Sequence, residues 1–118
     1  MKQSDIIKAY KATETLAEIK NLPTDTFWNI FELRRALKPH VDFQEEREIA
    51  INEKYVPFAD ENGTITGQHY LDYLKDLNEL ANFEKDVSFE KFDFTYTEDM
   101  GINIHLVENL AEFINFKK

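Results

Sequence analysis

The chain has 118 residues, no cysteine, three histidines, three isolated glycines and a formal net charge of −9. That length sets one domain, able to bury a core without a metal or a disulfide, and the missing cysteines exclude a disulfide framework and thiol catalysis. The acidic balance argues against a free-standing nucleic-acid binder, which gathers Lys and Arg on one face.

The charge is unevenly placed. Residues 1–40 carry seven basic and five acidic side chains, residues 41–100 five basic and sixteen acidic, and residues 101–118 two of each. Ten phenylalanines, five tyrosines and one tryptophan supply ample material for a packed core. No run approaches the roughly 20 apolar residues that a membrane helix needs, and no signal peptide is visible at the N-terminus. A setting inside a cell or a virion is the expectation.

In chain order, Ser4 reads as an N-cap. Ile6, Ala9, Tyr10, Thr13, Leu16 and Ala17 recur at helical spacing, which predicts a helix over about 5–20. Pro23 stops it. Thr24, Asp25 and Thr26 offer caps for a second helix over about 25–38, rich in Phe27, Trp28, Ile30 and Phe31, and Lys38-Pro39 ends that one. A third helix over about 40–54 carries a narrow apolar stripe (Val41, Phe43, Ala50, Ile51) and an acidic face. Tyr55 to Phe58, with its proline, reads as an edge strand, and Asn62-Gly63 as a hairpin turn leading to a short return strand at Ile65. A fourth helix over about 67–82 presents Tyr70, Tyr73, Leu74, Leu77 and Leu80 on one side and Asp72, Asp76 and Glu79 on the other. Val87 to Tyr96 alternate as a strand whose phase slips near Glu90-Lys91, which suggests a bulge. Asn103 caps a last helix with Leu106, Leu110, Phe113 and Ile114 inward.

The expected fold is therefore one compact α+β domain over residues 1–118, mostly helical, with about five helices. A small antiparallel sheet is expected from residues near 55–66 and 85–96.

Chemistry-bearing patterns are sparse. The loop from Asp60 to Thr66 has the look of half a calcium loop. With Gly63 at the sixth position, however, the first falls on Phe58 and the twelfth on His69, so both end ligands fail; a turn is the better reading. His69, Asp72 and Asp76 share one helical face, but without a second cluster they make a weak metal site. His40 and His105 have no nucleophile or paired acid at a recognisable spacing, so no triad is proposed. Arg34, Arg35 and Lys38 form a small basic patch at a helix C-terminus, where cations are favoured anyway. No glycine-rich phosphate loop exists. No catalytic residue, metal ligand or cofactor is assigned.

What remains is the acidity. Asp42, Glu45 and Glu46 on one helix and Asp72, Asp76 and Glu79 on another are the candidate partner-binding residues. Closely spaced carboxylates on a rigid surface attract a basic one and speed association by steering. A solvated face that only confers solubility is the plainer reading of the same residues.

Several stretches taken together resemble small uncharacterised proteins encoded by phages and prophages of Gram-positive bacteria. They are the helix from Ile7-Lys8-Ala9-Tyr10 to Leu16-Ala17, Leu33-Arg34-Arg35-Ala36-Leu37-Lys38-Pro39, Phe43-Gln44-Glu45-Glu46-Arg47, Asp60-Glu61-Asn62-Gly63 and the closing helix from Leu106 to Phe113. The resemblance is one of layout, covers most of the chain and brings no catalytic residues. It implies viral origin and a place in the host cytoplasm or in the virion. The expected function is a non-enzymatic protein-binding module whose partner is a host or viral protein with a basic surface, with no direct nucleic-acid or membrane contact. Inhibition of a host defence or nucleic-acid-binding protein fits that reading. The alternatives are a phage assembly accessory, a metal-dependent enzyme, and self-association through an exposed aromatic patch.

Overall fold

The computed structural model describes residues 1–118. Four α-helices and two short strands follow one another in the order α1 (Gln3–Ala17), α2 (Thr24–Tyr55), α3 (Gly67–Ala81), β1 (Phe92–Thr95), α4 (Ile104–Leu110), β2 (Ile114–Lys117). Two single-turn 3₁₀ segments, Val56–Phe58 and Glu98–Met100, follow α2 and β1. The α+β class stands, with four helices rather than five.

The missing helix is absorbed into α2, which runs unbroken for 32 residues with Pro39 inside it. Proline removes one ladder hydrogen bond and normally kinks or ends a helix. Here the inner face keeps its phase across the proline. Ile30, Leu33 and Leu37 are buried before it and Ile51 and Tyr55 after it, and Leu37 and Ile51 are two heptads apart. Pro39 itself is exposed, so the carbonyl it leaves unpaired can turn to water.

The helix start also differs from expectation. The N-cap of α1 is Lys2, not Ser4, and its side chain makes no capping bond. The start is held by backbone: the Gln3 amide donates to the Phe83 carbonyl (2.8 Å) and the Lys85 amide to the Met1 carbonyl (2.8 Å). Asn103 does cap α4, its side chain accepting from the Leu106 amide at 2.9 Å.

The sheet is parallel, not antiparallel. β1 pairs with β2 in the register Phe92–Ile114 and Phe94–Phe116. Tyr55 to Phe58 is helical rather than an edge strand, and Ile65 starts no strand, so the segment near 55–66 offers nothing to pair with. Parallel neighbours need a crossover of a dozen or more residues, and the stretch holding α4 provides it. α4 therefore ends at Leu110, and Phe113 and Ile114 reach the core from the turn and strand that follow. Val87 and Phe89 lie before β1 rather than in it. Phe89 sets its ring edge-on to both Phe92 and Phe113, which accounts for the slip in alternation without a bulge.

Two unequal cores result. The large one joins α1, the first half of α2, α4 and both strands around Ile6, Leu16, Leu33, Leu37, Phe94 and Leu110. The small one holds only Ile51, Tyr55 and Leu80 between the second half of α2 and α3. The second half of α2 and α3 thus form an arm that leaves the body. The molecule measures 52 × 28 × 20 Å with a radius of gyration of 18.0 Å, against about 13–14 Å for a compact domain of this length.

Phe94 is fully buried in the large core. Phe94→Ala should destabilise the chain by about 3–5 kcal/mol, read as a lowered denaturation midpoint. Amides of α3 should exchange with solvent through openings of lower free energy than those of α1, because little apolar surface holds the arm shut. Equal protection of the two helices would show that the arm and body unfold as one unit.

Candidate functional site

The arm is where the acidic residues collect. Residues 41–81 contain ten acidic and three basic side chains. α2 contributes Asp42, Glu45 and Glu46, all exposed. Asp42 is ion-paired within its helix to Lys38 at 3.1 Å, and that hydrogen bond raises the Lys38 pKa. Glu45 and Glu46 make no ion pair.

On α3 the three candidates have three different fates. Asp72 is half-buried and accepts from Gln68 Nε2 within its own helix at 2.9 Å. Glu79 is exposed. Asp76 crosses to α2: its Oδ2 accepts from Lys54 Nζ (2.9 Å) and from the Tyr55 hydroxyl (2.8 Å). The Lys54 bond first, and then that of Tyr55, hold the Asp76 carboxyl below its ordinary range. Tyr55 is pushed upward by burial and by the same carboxylate. Asp76 is therefore a clasp between the helices of the arm. The six candidates are not joined to one another by any hydrogen bond or ion pair, and Asp76 alone bridges two elements.

A ring cluster continues the clasp. Tyr73 lies edge-on to Tyr55 with centroids 5.4 Å apart, and its hydroxyl donates to Asn52 Oδ1 at 2.8 Å. These tyrosine hydroxyls and Asn52 were not legible as partners, because the edge strand expected at Tyr55 takes that residue out of helical phase with α3. His69 stacks on Phe58 with centroids 3.8 Å apart and is not turned toward Asp72 or Asp76 as a ligand set. No three His, Asp or Glu side chains come together in a way that would hold a metal ion. The loop before α3 closes as an Asx turn, Asp60 Oδ1 accepting from the amides of Asn62 and Thr64 at 2.9 Å each, with Gly63 at φ 78°. Asp60 is thus committed to its own loop.

The basic patch is also dispersed. Arg34 turns to α1, donating to Thr13 Oγ1 (3.1 Å) and the Tyr10 hydroxyl (3.2 Å) with its guanidinium over the Tyr10 ring. Arg35 stays outside, 3.8 Å from Glu32.

Two shallow clefts lie on the arm. One, of about 660 Å³, is lined by Asn52, Val56, Asp60, Tyr70 and Tyr73 at the tip. The other, of about 560 Å³, lies between α2 and α3 beside Phe43, Arg47, Asp76 and Phe83. Neither brings an imidazole and a carboxylate together. His40, at the root of the arm, is half-buried and its pKa is lowered by burial first and by Lys85 second; its carbonyl accepts from Gln3 Nε2 at 2.7 Å. No helix is long and apolar enough to cross a membrane. Comparison with known proteins finds no family model, no curated protein and no solved structure that matches this chain.

Both depressed groups weaken the fold as acid is added. His40 contributes its full share above the unfolded value near 6.5 and loses it as the pH falls below that. Asp76 contributes above about 4 and loses its share as the carboxyl protonates below that. Asp76→Asn should therefore flatten the acid limb of the stability profile below about pH 4 and speed amide exchange in α3. An unchanged limb would show that the clasp contributes nothing.

Proposed function

We propose that this chain is a protein-binding module whose arm docks on a protein with a basic surface. The observation that supports the reading is the arm itself: two helices leaving the body, carrying ten acids to three bases over a core of three buried residues. Such a projection serves stability poorly and contact well. Its carboxylates are held at fixed spacing by helices, so they meet a basic surface without first being ordered. Steering by this net charge speeds encounter. Asp72 and Glu79 on α3, with Glu46 on α2, are the residues assigned to the contact, and Asp76 keeps the two helices together. The phage-type layout of the sequence fits a small protein acting on a host or viral partner, whether as an inhibitor or as an assembly accessory.

The experiment is capture of a partner from host lysate on immobilised protein. Recovery should be strong at about 0.05 M salt and fall steeply by about 0.5 M, as exposed charges are screened. Asp72→Lys combined with Glu79→Lys should abolish capture at low salt while leaving the circular dichroism spectrum unchanged. Equal recovery at both salt concentrations, or by the reversed-charge variant, would refute an electrostatic interface on the arm.

A further inference from the structure

The face of α2 turned away from the buried side chains is bare from Trp28 to Ile49; beyond it Asn52 accepts from the Tyr73 hydroxyl of α3, and Val56 lines the tip cleft beside Tyr70 and Tyr73. Positions 24, 28, 31, 35, 38, 42, 45, 49, 52 and 56 alternate in steps of four and three, the seam spacing of a coiled coil, and every one of them is exposed. Trp28 is 56% exposed, Phe31 48%, Ile49 58% and Val56 65%. These are four of the six large apolar side chains that α2 and its continuation leave in solvent; of the others, Phe27 flanks Trp28 and Phe31, and Phe58 stacks on His69. Trp28 and Phe31 stack on each other with centroids 5.5 Å apart. Nothing within the chain covers them.

The order of residues along this stripe has a symmetry of its own. It begins aromatic, becomes basic at Arg35 and Lys38, turns acidic at Asp42 and Glu45, and ends apolar at Ile49 and Val56. Reversed about residue 40, it is complementary to itself. Phe31 falls opposite Ile49, Arg35 opposite Glu45 and Lys38 opposite Asp42, while Trp28 falls opposite Asn52, which Tyr73 of α3 already engages. A parallel pairing would instead set Arg35 on Arg35 and Glu45 on Glu45, which like-charge repulsion disfavours.

We propose that two copies of this chain pair antiparallel along the outer face of α2, about a two-fold axis near residue 40. Arg35 of each copy faces Glu45 of the other, and Phe31 of each faces Ile49 of the other. Such an isologous arrangement closes on itself and stops at two copies. At about 1.5 Å per residue the matched stretch from Phe31 to Ile49 is about 27 Å long, with apolar residues at its ends and charges at its centre. α3 packs on the Ile51 and Tyr55 side of α2 and reaches the stripe only at its Asn52 end, so Asp72 and Glu79 remain open in the pair. The inference goes beyond the function proposed above and needs no outside partner.

The test uses the purified chain alone. Sedimentation across micromolar to millimolar concentrations should give the mass of a dimer, and the emission of Trp28, the only tryptophan, should shift to the blue as pairs form. Arg35→Glu or Glu45→Arg alone should raise the concentration needed for pairing by roughly tenfold or more. An equal mixture of those two variants should restore it, because each then meets the opposite charge at both contacts. The chain has no cysteine, so Phe31→Cys and Ile49→Cys can be oxidised together cleanly. They should cross-link with each other and not each with itself. A monomer with constant Trp28 emission at every concentration, no rescue in the mixture, or self-linking of Phe31→Cys would each overturn the proposal. Unchanged circular dichroism of the variants excludes loss of fold as the cause.

Discussion

The structure depends on α2 remaining one helix through Pro39. Losing a ladder bond and accommodating the ring costs about 3 kcal/mol in a helix interior. Against this stand the side chains that would lose their places if the helix broke. Ile30, Leu33 and Leu37 pack into the body, and Ile51 and Tyr55 close the arm. Each buried side chain of this size contributes about 1.5–3 kcal/mol. Because both groups lie on one face in one continuous phase, a straight helix satisfies them together, and a break would set the second group at the wrong angle to α3. Gln3 reinforces the same point, its amide nitrogen reaching the His40 carbonyl beside the proline.

That constraint fixes the shape. A helix of 32 residues is longer than the body it crosses, so its second half must find cover elsewhere. α3 supplies it on one side only. Three buried residues are little to hold two helices, which is why polar closure matters there. Lys54, Tyr55 and Asp76 bond across the gap, and Tyr73 adds a second hydroxyl contact on Asn52. The body adds hydrogen bonds from Arg34 to Thr13 and Tyr10 and from Gln3 to the His40 carbonyl, but its α1 face is closed chiefly by Ile6, Ala9 and Leu16, all at zero exposure. Polar bonds carry a larger share of the cohesion in the arm than in the body, so acid loosens the arm through Asp76.

Much of this was legible in the residues and some was not, for identifiable reasons. The inward face of α1 follows from 3.6-residue spacing, and Asn103 announces its own helix; on α3 only Tyr73, Leu77 and Leu80 of the expected face turn inward, while Tyr70 and Leu74 are exposed. Pro39 misleads because proline is a local signal, while the phase of Leu37 and Ile51 that overrides it spans two heptads. The strand at Phe92–Thr95 was visible, but its partner was not. Ile114–Lys117 is only four residues, and parallel pairing leaves no turn signature between the strands. Within the candidate surface, Asp42, Glu45, Glu46, Asp72, Asp76 and Glu79 all proved to belong to the arm. The bridging role of Asp76 was hidden because it rests on Tyr55, a residue whose own helix had to be recognised first.

The same long helix explains why one chain carries two kinds of exposed surface. A helix that packs on one side only must present the other side to water, and water-facing positions are usually polar throughout. On α2 they are not: Trp28, Phe31 and Ile49 interrupt the charges, whereas on α3 the charge is carried by the exposed Glu79 and the half-buried Asp72. Apolar groups in water gain by finding a dry contact, and carboxylates gain by finding a cation without giving up much of their hydration. The two faces are therefore suited to different encounters. The α2 stripe fits a close helix-on-helix contact, and the α3 acids fit a looser meeting set by charge. Since α3 meets the stripe only at its Asn52 end, the two contacts draw on different parts of the surface.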